Sequence, residues 1–149
     1  MRTLFGTRLV TCPETGRIAA VRFNRFQALA AVIEGGHSAE LAQCSRWRER
    51  GRCDQPCMPQ AHLPDSLVEH MVARWSAERQ CAFCNKPVVE GPLVGHHICL
   101  RTTDGVTHEW PEFPPESLPE VLRASQAVCW NCHISETLRR RYAHLIVDR

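Results

Sequence analysis

Cys81-Ala82-Phe83-Cys84, running into Asn85-Lys86, and Cys129-Trp130-Asn131-Cys132, running into His133, are the stretches around which the chain is organised. A Cys-x-x-Cys pair brings two sulfurs to one ion, and zinc takes four thiolates at tetrahedral corners about 2.3 Å away. Asn85 suits the first pair, because a residue tolerant of positive φ lets the backbone fold round and aim amides at the sulfurs. The second pair leads directly into Ile134–Arg141, which reads as helix. The expected order is therefore a knuckle, strands, and a second pair on the first turn of a helix. Cys81, Cys84, Cys129 and Cys132 would share one zinc. Two disulfides, or an accidental pairing, are the alternatives the spacing leaves open.

The composition bounds the rest. A chain of 149 residues with 44% hydrophobic and 23% charged residues has the balance of a globular protein and can bury a core without metal. Nine cysteines are far more than that balance requires. Their odd count argues against a closed disulfide framework, and the x-x spacing favours metal in a reducing compartment. The first eight residues lack the apolar run of a signal peptide, and no later stretch reaches the length of a membrane span. The expectation is a soluble, cytoplasmic protein. A net charge of +2 does not by itself imply nucleic acid, and Lys86 is the one lysine among the basic residues.

Residues 4–12 and 17–23 read as a β-hairpin around Pro13-Glu14-Thr15-Gly16. Phe26–Ile33 reads as a short helix stopped at Gly35-Gly36, its alanines facing the core. Residues 37–63 are irregular and carry Cys44, Cys53 and Cys57 among Arg46, Arg48, Arg50 and Arg52. With Cys12 at the end of a strand, these three suggest a second closed metal site; an iron–sulfur cluster, a disulfide and buried free thiols compete. Residues 64–79 form the clearest helix, with Ser66 and Glu69 at capping-box spacing and Leu67, Val68, Met71, Val72 and Trp75 on one face. Leu93–Arg101 and Val106–Trp110 read as strands, the prolines from Pro111 to Pro119 as a stiff linker, and Pro119–Ser125 and Asn131–Ala143 as helices. Cys99, inside a strand, reads as a small buried hydrophobe.

Cys-x2-Cys, then His96-His97, then Cys-x2-Cys-His resembles the zinc-supported HNH endonucleases, a treble-clef (ββα-metal) family, over about residues 81–140. The resemblance implies a structural zinc in the cysteine quartet. It also implies His97 as general base, with His96 and His133 holding a catalytic divalent ion against the scissile phosphate. The family's loop-orienting Asn would fall at position 124, which is Ala124 here. Cys129, Cys132 and His133 also fit the c-type haem attachment pattern, with His133 as axial ligand.

The resulting reading is a small metal-stabilised α+β protein. An N-terminal β-hairpin-plus-helix lobe spans residues 1–63, and a helix followed by a treble-clef (ββα) zinc lobe spans 64–149. The leading function is a zinc-stabilised binding or scaffold module, non-catalytic, whose partner the sequence does not name; a protein and a nucleic acid are the candidates. An HNH-type endonuclease and a haem redox protein are the alternatives. One zinc is expected, and a second if Cys12, Cys44, Cys53 and Cys57 bind metal.

Overall fold

The computed structural model describes residues 5–35, 40–51, 53–88 and 96–145, with the backbone alone for Val32 and Arg50. His37, Arg52 and the beginning of the strand expected over 93–101 lie outside the described residues. The chain divides into two compact units, Met1–Met71 and Val72–Arg149.

In the first unit, strands β1 (Arg8–Thr11) and β2 (Ile18–Phe23) form the expected hairpin, with Arg8 opposite Val21 and Thr11 opposite Ile18. Helix α1 (Arg25–Glu34) begins where the Asn24 side chain accepts the Phe26 amide, and ends at Gly35 in the left-handed region at φ 67°. A third strand, β3 (Leu41–Cys44), then pairs antiparallel with β2, giving the order β1-β2-β3. This strand falls in the stretch that reads as irregular, because Leu-Ala-Gln-Cys has neither clear alternation nor β-branched residues. Two four-residue helices, α2 (Trp47–Arg50) and α3 (Met58–Ala61), follow.

Period-two burial explains the sheet: Val10 from β1, and Ala19, Val21 and Phe23 from β2, face a core completed by Ala28, Leu41, Cys57 and Ala61. Arg8 shares that face with Val10 and is itself buried. Its guanidinium donates to the Leu63 carbonyl at 3.0 Å and to Ser66 Oγ at 2.9 Å, and lies 5.5 Å from the Phe23 ring centre. Ser66 therefore does not cap a helix as its spacing from Glu69 suggests. It sits in a tight 3₁₀ turn, Pro64–Ser66, with its hydroxyl 2.6 Å from the Leu63 carbonyl. Helix α4 (Val68–Ser76) accordingly starts later and stops earlier than the 64–79 read from periodicity. Val68 and Val72 are buried as expected, while Met71 and Trp75 are half-buried.

The second unit centres on strand β4 (Cys99–Arg101), which is flanked by β5 (Thr107–Glu109) and β6 (Gln126–Val128) in the antiparallel order β5-β4-β6. Thr102-Thr103-Asp104-Gly105 makes the turn between β4 and β5, closed by hydrogen bonds from Gly105 N to Thr102 O and from Thr102 N to Val106 O. As the central strand, β4 is covered on both faces, and Cys99 and Leu100 are each fully buried. Cys99 is thus the small core residue expected, and burial pushes its thiol up to about 12, with Glu109 adding to the rise. The proline-rich stretch is more ordered than a linker: 3₁₀ turns at Trp110–Glu112 and Pro115–Ser117 lead into α5 (Leu118–Ala124). Ser117 donates to the Pro114 carbonyl instead of capping α5. Leu118 and Leu122 of α5 are buried, and β6 then carries the chain into α6 (Trp130–Arg141). Among the described residues, no helix is long and apolar enough to cross a membrane.

Candidate metal centre

The tight turn at Cys81–Cys84 is built by its own backbone. Cys81 N donates to Lys86 O at 2.8 Å and Asn85 N to Cys81 O at 2.9 Å, while Asn85 takes φ 57°. Few non-glycine residues tolerate that conformation, and asparagine is the commonest of them. Ala82 N donates to Ala127 O at 2.9 Å, so the turn is fastened to β6 immediately before Cys129. Cys129 is the N-cap of α6 and accepts the His133 amide at 3.0 Å, and Cys132 lies one turn along.

These two devices bring the four thiols together. Among the described residues, Cys81, Cys84, Cys129 and Cys132 are the set whose ligand atoms all lie within 4.8 Å of one another. Cys84 Sγ and Cys129 Sγ are 3.7 Å apart. Four sulfurs around one zinc at 2.3 Å stand about 3.8 Å apart along each tetrahedral edge, so that separation fits shared coordination. It is far too long for a disulfide, whose sulfurs sit about 2.05 Å apart, and all four cysteines are free. The donor set fits a soft, tetrahedral divalent ion.

Electrostatics divide the quartet. At Cys81, burial acts most strongly and upward, yet hydrogen bonds from the Cys129, Cys84 and Phe83 amides outweigh it and bring the thiol down to about 6. Burial raises both Cys129 and Cys132, and at Cys132 the neighbouring sulfurs of Cys129, Cys81 and Cys84 add to the rise. One thiol is thus ready to lose its proton near neutrality, and two need an ion to displace theirs. Cys84 is exposed beside Phe83, whose ring lies 5.2 Å from the Arg101 guanidinium.

The three histidines singled out by the family resemblance have different environments. His96 and His97 line an open cleft of about 270 Å³ with Lys86, Trp130 and Asn131. The His96 ring stacks on Trp130, with centroids 4.6 Å apart and planes 14° from parallel. His97 meets the edge of Trp110 at 6.0 Å and places Nε2 3.9 Å from a Glu109 carboxylate oxygen. His133 is 6% exposed, and its Nδ1 is hydrogen-bonded to Thr107 Oγ1 at 2.9 Å. Thr107 has no place in the sequence reading. Its signal is only that it is a polar β-branched residue on the strand facing the helix that carries His133. Glu112, which with Glu109 and Glu116 reads from sequence as a solvated carboxylate of the proline-rich stretch, holds His108 Nδ1 at 2.8 Å and accepts the Glu109 amide at 3.2 Å.

Cys12, Cys44, Cys53 and Cys57 all lie in the first unit and line one small cavity of about 20 Å³. Their sulfurs do not crowd to the separation seen in the quartet. Arg46 donates to the Ile18 carbonyl at 2.8 Å and pairs with Glu49 at 3.4 Å.

Compared with family models, curated proteins and solved structures, the chain finds no match.

Proposed function

We propose that Val72–Arg149 is a treble-clef lobe held by one structural zinc on Cys81, Cys84, Cys129 and Cys132, and that the protein is a binding or scaffold module. The convergence of the four sulfurs, with 3.7 Å between Cys84 and Cys129, is the observation that carries this reading. The order of a knuckle, antiparallel strands and a helix whose first turn bears the second pair supports the treble-clef assignment. Zinc in such a site contributes folding free energy and offers no open coordination position for substrate.

The burial of His133 supports a non-catalytic role, because an ion held against a scissile phosphate must be reached by substrate and this ring is 6% exposed. Ala124 also lacks the amide that orients the family's base-bearing loop. A partner surface is offered by α1, where Phe26, Leu29 and Ile33 form an exposed apolar stripe at helical spacing. A haem bound through Cys129 and Cys132 would remove two of the four sulfurs from the quartet, so the donor set favours zinc.

The nuclease alternative keeps one favourable observation: His97 is 45% exposed in the cleft, within reach of Glu109. Metal analysis of purified protein, combined with a plasmid-cleavage assay in magnesium and manganese, separates the readings. The expected result is zinc that is lost on Cys81→Ser, with no cleavage and no haem absorption. Metal-dependent cleavage abolished by His97→Ala would instead establish the nuclease.

A further inference from the structure

We propose that Cys12, Cys44, Cys53 and Cys57 form a second thiolate site, which takes one zinc ion within the first unit. The four residues come from separate elements: Cys12 follows β1, Cys44 ends β3, Cys53 lies in the loop after α2, and Cys57 immediately precedes α3. Cys12 and Cys44 are distant in sequence from each other and from the Cys53–Cys57 stretch, yet all four line the same cavity. At about 20 Å³ that space is of the size filled by one water or one ion, since a water needs about 10–15 Å³ by the same measure.

A disulfide would employ two of these cysteines, and all four are free thiols. Simple burial as hydrophobes fits Cys57, which is 5% exposed. It does not fit Cys12, Cys44 and Cys53, which stay partly accessible around the cavity.

The surroundings of Cys12 are a second, independent observation. Cys12 N donates to Arg17 O at 2.9 Å and Gly16 N to Cys12 O at 2.8 Å, which makes a tight turn of Pro13-Glu14-Thr15. In the quartet, Cys81 N donates to Lys86 O and Asn85 N to Cys81 O, the same two bonds at the same spacings, and Gly16 at φ 66° takes the left-handed place that Asn85 takes at φ 57°. Cys12 thus opens the same backbone turn as Cys81, without a second cysteine in it. The other three ligands, Cys44, Cys53 and Cys57, come from the rest of the cavity wall.

Binding exchanges four S–H bonds for four Zn–S bonds and releases up to four protons, with no change in oxidation state. The site then carries two negative charges, and Arg46, which also lines the cavity, is the nearby compensating cation.

The test is metal stoichiometry on the full chain, with thiol alkylation mapped by mass spectrometry before and after chelation. Two zinc ions per chain are expected, with Cys12, Cys44, Cys53 and Cys57 protected until a strong chelator is added. Cys12→Ser with Cys57→Ser should remove one equivalent and leave Cys81, Cys84, Cys129 and Cys132 protected. Cys81→Ser with Cys129→Ser should remove the other, so failure of one site is read separately from failure of the other. The alkylation map of the unmutated protein keeps the test decisive if either variant does not fold. One zinc per chain with the first four cysteines freely alkylated, a disulfide among them, or iron in place of zinc would overturn the proposal.

Discussion

The two groups of four cysteines are assembled by opposite means. In the second unit, two x-x pairs each sit on a rigid device, a knuckle and a helix start, and the sulfurs meet within 4.8 Å. In the first unit, four single cysteines are carried in by a sheet, a loop and a short helix, and they line a cavity in a unit that already has an apolar core. Local spacing makes a site that closes on itself. Single ligands depend on the surrounding fold to hold them, and the fold depends less on them. Metal should therefore be essential to the second unit and an addition to the first.

The largest effect should come from breaking the quartet. Cys81→Ser with Cys129→Ser should unfold Val72–Arg149, because structural zinc supplies on the order of 10 kcal/mol in small domains. Amide NMR spectra should lose the dispersed signals of that unit and keep those of Met1–Met71. The corresponding change at Cys12 and Cys57 should lower the melting temperature of the first unit without abolishing its folded spectrum. Equal collapse of both units would erase the distinction.

Acid should expose the same difference in the quartet's zinc affinity. Cys129 and Cys132 are both raised by burial, so each enters the metal-free site as a thiol and must surrender a proton. At least two protons released per ion make the apparent affinity fall by about 100-fold or more for each pH unit lost between pH 8 and 6. Cys81, held at about 6, adds its own proton only towards the acid end of that range. Its depressed value also stabilises the metal-free fold fully above its ordinary value near 9, a contribution lost as pH falls through about 6. Competition with a zinc chelator across pH measures the slope, and a flat profile would mean that the thiols are already ionised.

The first unit should respond instead to its core. Leu41 is 2% exposed at the start of β3, and Leu41→Ala should cost about 2–5 kcal/mol in chemical denaturation of the unit. A loss well below that range would mean that metal, and not packing, dominates there as well.

How much of this was legible follows from the same contrast. The quartet could be read from sequence because both its devices are local: x-x spacing, a positive-φ asparagine and a helix start. The hairpin was legible for the same reason. Strands β3 and β6 were not, because three or four residues without strong alternation acquire their identity from the partner they pair with. The expected capping box at Ser66 failed because its hydroxyl bonds a carbonyl three residues back, inside a 3₁₀ turn, as the Ser117 hydroxyl also does. Arg8 could not be placed either, since its burial depends on Leu63 and Ser66, more than fifty residues away. The histidine cluster was legible as composition but not as geometry.

Thr107 provides the smallest and most discriminating test. Its hydroxyl is the hydrogen-bond partner of a buried imidazole, and both side chains are less than 10% exposed. Thr107→Val keeps the shape, removes the hydroxyl and leaves His133 Nδ1 without that partner. An unsatisfied buried polar atom costs about 1–3 kcal/mol, so the second unit should lose roughly that much stability. Zinc content should not change, because neither residue belongs to the quartet. A structural His133 requires this combination of weaker fold and unaltered metal. If stability instead holds and the variant gains affinity for a second divalent ion in the cleft, Thr107 was restraining a ligand. His133 would then join His96 in the role that the nuclease resemblance assigns to it.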